Sequence, residues 1–173
     1  MVKVPNKRIY TLEELDNLEL KGRSLTRTLD GLSKINFLLG NSKYTLEAVK
    51  QLFQKNEINT IVDLGCGGGD NLIKIAKWLN SKNKTVKLIG IDGNQNSLGY
   101  AKSKSKFDIE FLQADILDKN FELPEGDLLI SSHFIYHFDD EFLISFLQDL
   151  KEKVKKAMIF SELRKSMIAR ILF

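Results

Sequence analysis

Cysteine is nearly absent from this chain: Cys66 is the one example in 173 residues. A single thiol excludes a disulfide framework and a cysteine-rich zinc site, and it fits a reducing compartment, so a cytoplasmic protein is expected. Proline is almost as scarce, with Pro5 and Pro124. No Gly/Ser-rich linker and no internal repeat divides the sequence, so one structural domain is expected overall. No apolar run approaches the roughly 18 residues of a membrane-spanning helix. The opening MVKVPNKRIYTLEEL lacks a continuous apolar segment, so no signal peptide is expected. Charge of one sign is lacking too. The 26 Lys+Arg against 23 Asp+Glu leave a net charge of +3. The charges alternate along the chain, so no nucleic-acid partner is expected. What is present is ordinary globular material, 43% hydrophobic and 28% charged, enough for a sizeable core.

Two zones differ in their periodicity. Residues 1–56 read as a helical N-terminal cap. Thr11 followed by Glu14 has capping-box spacing. Leu25, Leu29, Leu32, Ile35, Leu38 and Leu39 recur at three- and four-residue steps, which predicts one apolar helical stripe. Gly40-Asn41-Ser42 breaks it, and Leu46, Val49, Leu52 and Phe53 start a second stripe. Residues 57–173 alternate short β-branched runs with helical spacing. INTIVDL, TVKLIGID, DIEFLQAD, DLLISSHF and KAMIFSEL read as five strands. NLIKIAKWL, the segment through Leu98 and Ala101, and EFLISFLQDLKEKV read as helices. The pattern predicts an α/β fold, a Rossmann-like open parallel sheet of about five strands with helices on both faces.

The first strand hands over to its helix through Asp63-Leu64-Gly65-Cys66-Gly67-Gly68-Gly69. Glycines at such a turn allow positive φ and close approach of the backbone to a ligand. A glycine-rich turn without a ligand is the bland alternative. The loop has no G-K-[ST], so it is not a P-loop, and Asp70 stands where G-x-G-x-x-G needs its third glycine. A carboxylate there repels a pyrophosphate while suiting the helix dipole. A nucleoside without phosphates is the expected ligand. Asp92 at the end of the second strand, with Gly93 beside it, is placed to accept both ribose hydroxyls, with capping of the next helix as its alternative role. The same logic serves NAD, so Asp92 alone does not discriminate.

D-L-G-C-G-G-G resembles the first motif, [DE]-x-G-x-G-x-G, of class I S-adenosylmethionine-dependent methyltransferases. Asp92 in LIGIDGN, Asp115 in LQADI and the segment DLLISSHFIYHF follow in that family's order over roughly residues 58–164. The resemblance implies S-adenosyl-L-methionine as cofactor, held by Asp63, Gly65, Cys66, Gly67, Asp92, Gly93, Ala114, Asp115, Ile116, Ser131 and Ser132. In that reading Asp63 lies near the methionine amino group or simply orders the loop. Cys66 contributes its backbone, Asp115 accepts from the adenine amino group or makes an Asx-turn, and Ile116 packs on the ring. Ser131 and Ser132 receive the ammonium or are strand-end polarity.

His133 and His137 are the two histidines of the chain. SSHFIYHF resembles S-S-x-x-x-H-H-F, so His137 matches the family's second histidine, Tyr136 replaces the first, and His133 has no counterpart. His137 is the candidate catalytic base, with packing or helix capping as its alternative role. Phe134 is a candidate pocket wall. No cysteine or acid completes a zinc set around the histidines before Asp139 and Asp140, so no metal is expected. The expected activity is methyl transfer to O or C of a small acceptor, by family analogy a phenolic, quinone-like or polyketide-like one. A domain that binds adenosylmethionine or adenosylhomocysteine without turnover is the alternative. Family members carry a closing hairpin of two further strands, and five strands are read here; hence the expectation of a short C-terminus. Self-association through the β-edge and the apolar face of Met167, Ile168, Ile171 and Leu172 is expected with it.

Overall fold

The computed structural model describes residues 14–118 and 120–162. Thr11 of the capping box, and the apolar face from Met167 to Leu172, lie outside the described residues. The chain runs through a short 3-10 turn, Glu14–Asp16, then α1 (Gly22–Leu39), α2 (Asn41–Lys55), β1 (Thr60–Leu64), α3 (Asp70–Ser81), β2 (Lys87–Asp92) and α4 (Gln95–Lys104). β3 (Glu110–Gln113), β4 (Gly126–Ser132), a 3-10 turn at Ile135–His137, α5 (Asp140–Lys153) and β5 (Val154–Ser161) complete it.

The five strands form one parallel sheet in the order β3-β2-β1-β4-β5. The order reverses beside β1, which pairs with both β2 and β4. That reversal opens a crevice at the carboxyl ends of β1, β2 and β4, the place where open α/β sheets take ligands. Alternate residues serve opposite faces. Ile61, Leu88, Leu128 and Ile130 pack with Val49, Leu72, Ile75 and Leu79 on the α2–α3 side. Val62, Leu64, Ile89, Ile91 and Leu129 pack with Phe146 and Leu150 of α5 on the other. That second face is completed by Ile116 and Leu123 of the β3–β4 connection, which contains no helix among its described residues. Asp127 fixes the amino end of the sheet by accepting the N–H groups of Asn59 (2.7 Å) and Thr60 (3.1 Å).

The two helices of the N-terminal zone pack differently. α2 belongs to the core, since Val49 is fully buried among β-sheet and α3 side chains. α1 buries Leu25 and Leu29, but Leu38 is 77% exposed. Each three-residue step turns a helical position back by about 60°, so the run Leu32, Ile35, Leu38 walks off the buried face. α1 stops at Gly40, whose φ of 75° gives the left-handed C-cap and redirects the chain into α2. No helix among the described residues is long and apolar enough to cross a membrane.

Candidate active site

The glycine loop follows β1 into α3. Gly65, Gly67 and Gly69 have φ of 69°, 49° and 74°, backbone that side chains adopt at a cost. The Cys66 N–H donates to the Ile91 carbonyl (2.9 Å) and the Gly69 N–H to the Cys66 carbonyl (2.8 Å). The Cys66 side chain points back into the sheet. Its Sγ would lie 2.9 Å from a Cβ added at Gly90, and burial pushes the thiol upward in pKa, so it is no nucleophile.

Asp92 ends β2 and holds the loop in place. One carboxylate oxygen accepts the Gly67 N–H (2.8 Å) and the other the Asn94 N–H (2.9 Å). Each oxygen keeps a lone pair for a further donor. Burial raises the Asp92 pKa, and the two backbone bonds oppose that shift. Asp63 lies in β1 between Gly90 and Ile130 in register, and is 2% exposed. Burial pushes its carboxyl well above the ordinary range, with the charges of Asp92 and Asp70 adding to the effect. Asp70, at the first turn of α3, is raised by burial and relieved by Ser33, Lys104 and Lys74. Asp63 and Asp92 are thus buried carboxylates on neighbouring strands whose charge a cationic centre and hydroxyl groups would satisfy, as the methionine ammonium and ribose of adenosylmethionine would.

The other expected contacts divide. Ala114 lies beside Asp92, donating its N–H to that residue's carbonyl (3.1 Å). Asp115 is exposed and makes an Asx-turn onto the Leu117 N–H (2.9 Å), while Ile116 is buried. A cleft of about 380 Å³ opens here, with Ile91, Ala114 and Asp115 in its wall. The Ser131 hydroxyl is fully buried and donates to the Leu64 carbonyl (2.9 Å), a β4–β1 brace. Ser132 accepts from the Asn71 side chain of α3 (3.1 Å). Gly93 is covered: a Cβ there would fall 2.9 Å from Leu18 of the N-terminal segment.

That segment is pinned by Asn94, a buried residue with no expected role. Its Oδ1 caps α4 on the N–H groups of Asn96 and Ser97, and its Nδ2 donates to the Leu20 carbonyl (3.0 Å). DGNQN signals the helix cap, whereas the tether to Leu20, 74 residues away, has no local signal. α1 then crosses the glycine loop, with Leu29 and Tyr100 of α4 against Gly68.

The segment after β4 closes the other side. Phe134 lies directly on the loop: a Cβ at Gly65 would sit 2.4 Å from its ring. Glu162 holds this turn by accepting the N–H groups of Phe134 (3.3 Å) and Ile135 (3.2 Å). The His137 ring lies against Tyr136, with centroids 4.2 Å apart. His133, which the motif comparison left without a role, has a left-handed backbone (φ 54°) and meets Asn41 at the start of α2. Among the described residues no group of three His, Cys, Asp or Glu is arranged to hold a metal ion.

Comparison with known proteins agrees with this geometry. The family model for a methyltransferase domain matches residues 61–157. No curated protein sequence matches the chain. Among solved structures, the plantazolicin methyltransferase BpumL, in complex with a monoazolic desmethylPZN analog and SAH, superposes with a TM-score of 0.64 at 24% identity. The match covers 87% of this chain and 56% of that one, so this chain spans little more than half of that protein's length. Magnesium protoporphyrin IX methyltransferase (ChlM) from Synechocystis PCC 6803, with bound SAM, gives 0.64 at 18% identity, covering 87% and 74%. An S-adenosylmethionine-dependent methyltransferase from Clostridium acetobutylicum ATCC 824 gives 0.55 at 17% identity, covering 69% and 48%. With more than half of its residues matched to the family model, and with the Rossmann-like sheet and glycine loop in place, the chain belongs to the methyltransferase-domain family of the class I, S-adenosylmethionine-dependent fold.

Proposed function

We propose that this chain binds S-adenosyl-L-methionine at the β1 and β2 ends and transfers its methyl group to O or C of a small acceptor. The observation that carries the reading is the bridge from the Gly67 N–H to the Asp92 carboxylate, beside the buried Asp63. Asp92 would accept the two ribose hydroxyls while keeping the loop closed, and Asp63 would face the amino group. Asp115 and Ile116 would border the adenine, and the Ser131 carbonyl and Ser132 would flank the methionine end. When bound, the cofactor supplies an electrophilic methyl carried on a sulfonium. The protein's contribution is alignment and exclusion of water, which can supply much of the barrier reduction. α1 shields the loop, and Phe134 gives the site an apolar wall.

His137 is the proposed general base. As the acceptor atom bonds to the methyl carbon and the sulfur–carbon bond breaks, His137 would take the acceptor proton, with Tyr136 orienting the ring beside it. An aromatic acceptor is in keeping with neighbours named for magnesium protoporphyrin IX and complexed with a monoazolic compound. Self-association through β5, the outer strand of the sheet among the described residues, belongs to the same proposal.

Calorimetry tests the cofactor. Adenosylmethionine should bind, NAD should not, and Asp92→Ala should weaken binding by ~1–3 kcal/mol through lost charge-assisted bonds. Binding of NAD alone refutes the reading.

A further inference from the structure

His133 carries three independent signs of a built-in function. Its backbone is left-handed, a conformation uncommon outside glycine. Its Nε2 lies 2.8 Å from Nδ2 of Asn41, a residue 92 positions earlier. Its Nδ1 is buried without a hydrogen-bond partner among the described residues. Buried polar atoms without partners are uncommon, and each needs a physical account.

The hydrogen-bond pattern sets the tautomer. Asn41 Nδ2 also donates to Asn36 Oδ1 (3.2 Å), which orients the amide so that its NH₂ group faces the imidazole. Nε2 is therefore the acceptor. Burial lowers the His133 pKa, so the ring is neutral near pH 7 and its one proton sits on Nδ1. The result is a fixed N–H donor with no acceptor among the described residues, just after the carboxyl end of β4. The next residue, Phe134, covers Gly65.

We infer that His133 is an acceptor-binding residue, held by Asn41 as its positioning residue, whose Nδ1 proton hydrogen-bonds an oxygen of the methyl acceptor. It selects acceptors that bring a carboxylate, carbonyl or phenolate oxygen under the cap, and disfavours cationic amines, which bring a donor against a donor. This deepens the methyltransferase reading and rests on it for the word acceptor. His133 and His137 then divide the work: His133 holds an oxygen, and His137 removes a proton.

The test uses the full chain labelled with ¹⁵N-histidine. With two histidines in the sequence, His137→Gln assigns the spectrum. The expected result is an Nδ1–H tautomer for His133, shifting toward a mixture in Asn41→Leu and restored in Asn41→Gln. An Nε2–H tautomer in the unmodified chain, or no change in Asn41→Leu, overturns the inference. Benzoate and benzylamine, added to the chain with adenosylhomocysteine, supply the ligand arm. Benzoate should shift the His133 Nδ1 signal and bind at least tenfold more weakly to His133→Phe, whereas benzylamine should leave the signal unmoved. Absence of a benzoate shift, or equal shifts from both probes, overturns it. His133→Leu, which removes the donor on a smaller side chain, stands in with the same expected loss if His133→Phe does not fold. Adenosylhomocysteine binding is measured in the same samples. Its failure in the unmodified chain refutes the methyltransferase reading, while the tautomer result judges the donor separately.

Discussion

Gly65→Ala should be among the most damaging single-methyl changes in this domain, and its cost divides into two parts that can be measured separately. The first part is backbone strain. At φ 69° an alanine Cβ crowds the following carbonyl, at about 1–2 kcal/mol. The second is collision. The new methyl would fall 2.4 Å from Cδ2 and Cγ of Phe134 and 2.9 Å from its Cβ. Contact through the ring's near end and Cβ cannot be relieved by rotating a flexible tip, so an overpacking cost of about 1–3 kcal/mol applies. Together these give about 2–5 kcal/mol, a large share of the roughly 5–15 kcal/mol that stabilises a domain. Phe134→Ala removes the collision but also the edge-on contact with Phe138, with centroids 5.1 Å apart. For a half-buried ring we expect a loss of about 2 kcal/mol, below the range for full burial. A double-mutant cycle by urea unfolding separates the parts. The double variant should be more stable than the sum of single losses predicts by about 1–3 kcal/mol, with the strain remaining. Strict additivity would show that Phe134 does not rest on the loop, and the account of the site's apolar wall would fall with it.

The remaining predictions probe other links. Gly31→Ala and Gly99→Ala lie in α1 and α4 with nothing within 4 Å of the added methyl, so each should stabilise by about 0.4–1 kcal/mol in thermal melts. Ser131→Ala removes the hydroxyl from the buried Leu64 carbonyl and should cost about 1 kcal/mol without preventing cofactor binding. Asp63 has a folded pKa raised far above its ordinary 3.8 by burial. Its favourable contribution is thus complete below that value and lost as pH rises through the folded pKa. Asp63→Asn should therefore raise the melting temperature at pH 7, flatten the fall in stability from pH 4 upward, and weaken adenosylmethionine binding. A lower melting temperature at pH 7 contradicts the burial argument. His137→Gln should leave cofactor affinity near that of the unmodified chain and lower turnover by ~10²–10⁴ once an acceptor is known; unchanged turnover between pH 6 and 9 retires the base.

The fold was legible because its signals are local. β-branched runs of four to eight residues and a glycine turn need no distant partner to be recognised, and the five strands lie within a few residues of the expected segments. Asp92 was legible for the same reason, as an acid ending an apolar strand. The failures are all long-range or rotational. Leu38 matched the stripe by spacing yet faces outward, because successive three-residue steps rotate off the face. The brace from the Ser131 hydroxyl to the Leu64 carbonyl was not read, since a strand-end hydroxyl carries no mark of which way it donates. The ties from Asn94 to Leu20 and from Asn41 to His133 join residues 74 and 92 apart. Asparagine has no periodicity to betray such a tie.

Electrostatics favours the cationic one of the two nucleoside cofactors that Asp92 alone allowed. Asp63, Asp70 and Asp92 are all shifted upward, each first by burial, and Asp63 further by the charges of the other two. Two like charges about 4–5 Å apart repel by roughly 3–4 kcal/mol at an effective dielectric constant near 20. A pyrophosphate would add two negative charges to that set, and the first turn of α3 already carries Asp70 in place of a glycine. A sulfonium and an ammonium reverse the sign of each interaction: the burial that penalises Asp63 in the free chain becomes a low-dielectric seat for a cation. In the proposed site the same residue would thus lower the stability of the unliganded domain and raise its affinity for a cationic nucleoside. Asp63→Asn should accordingly move those two quantities in opposite directions.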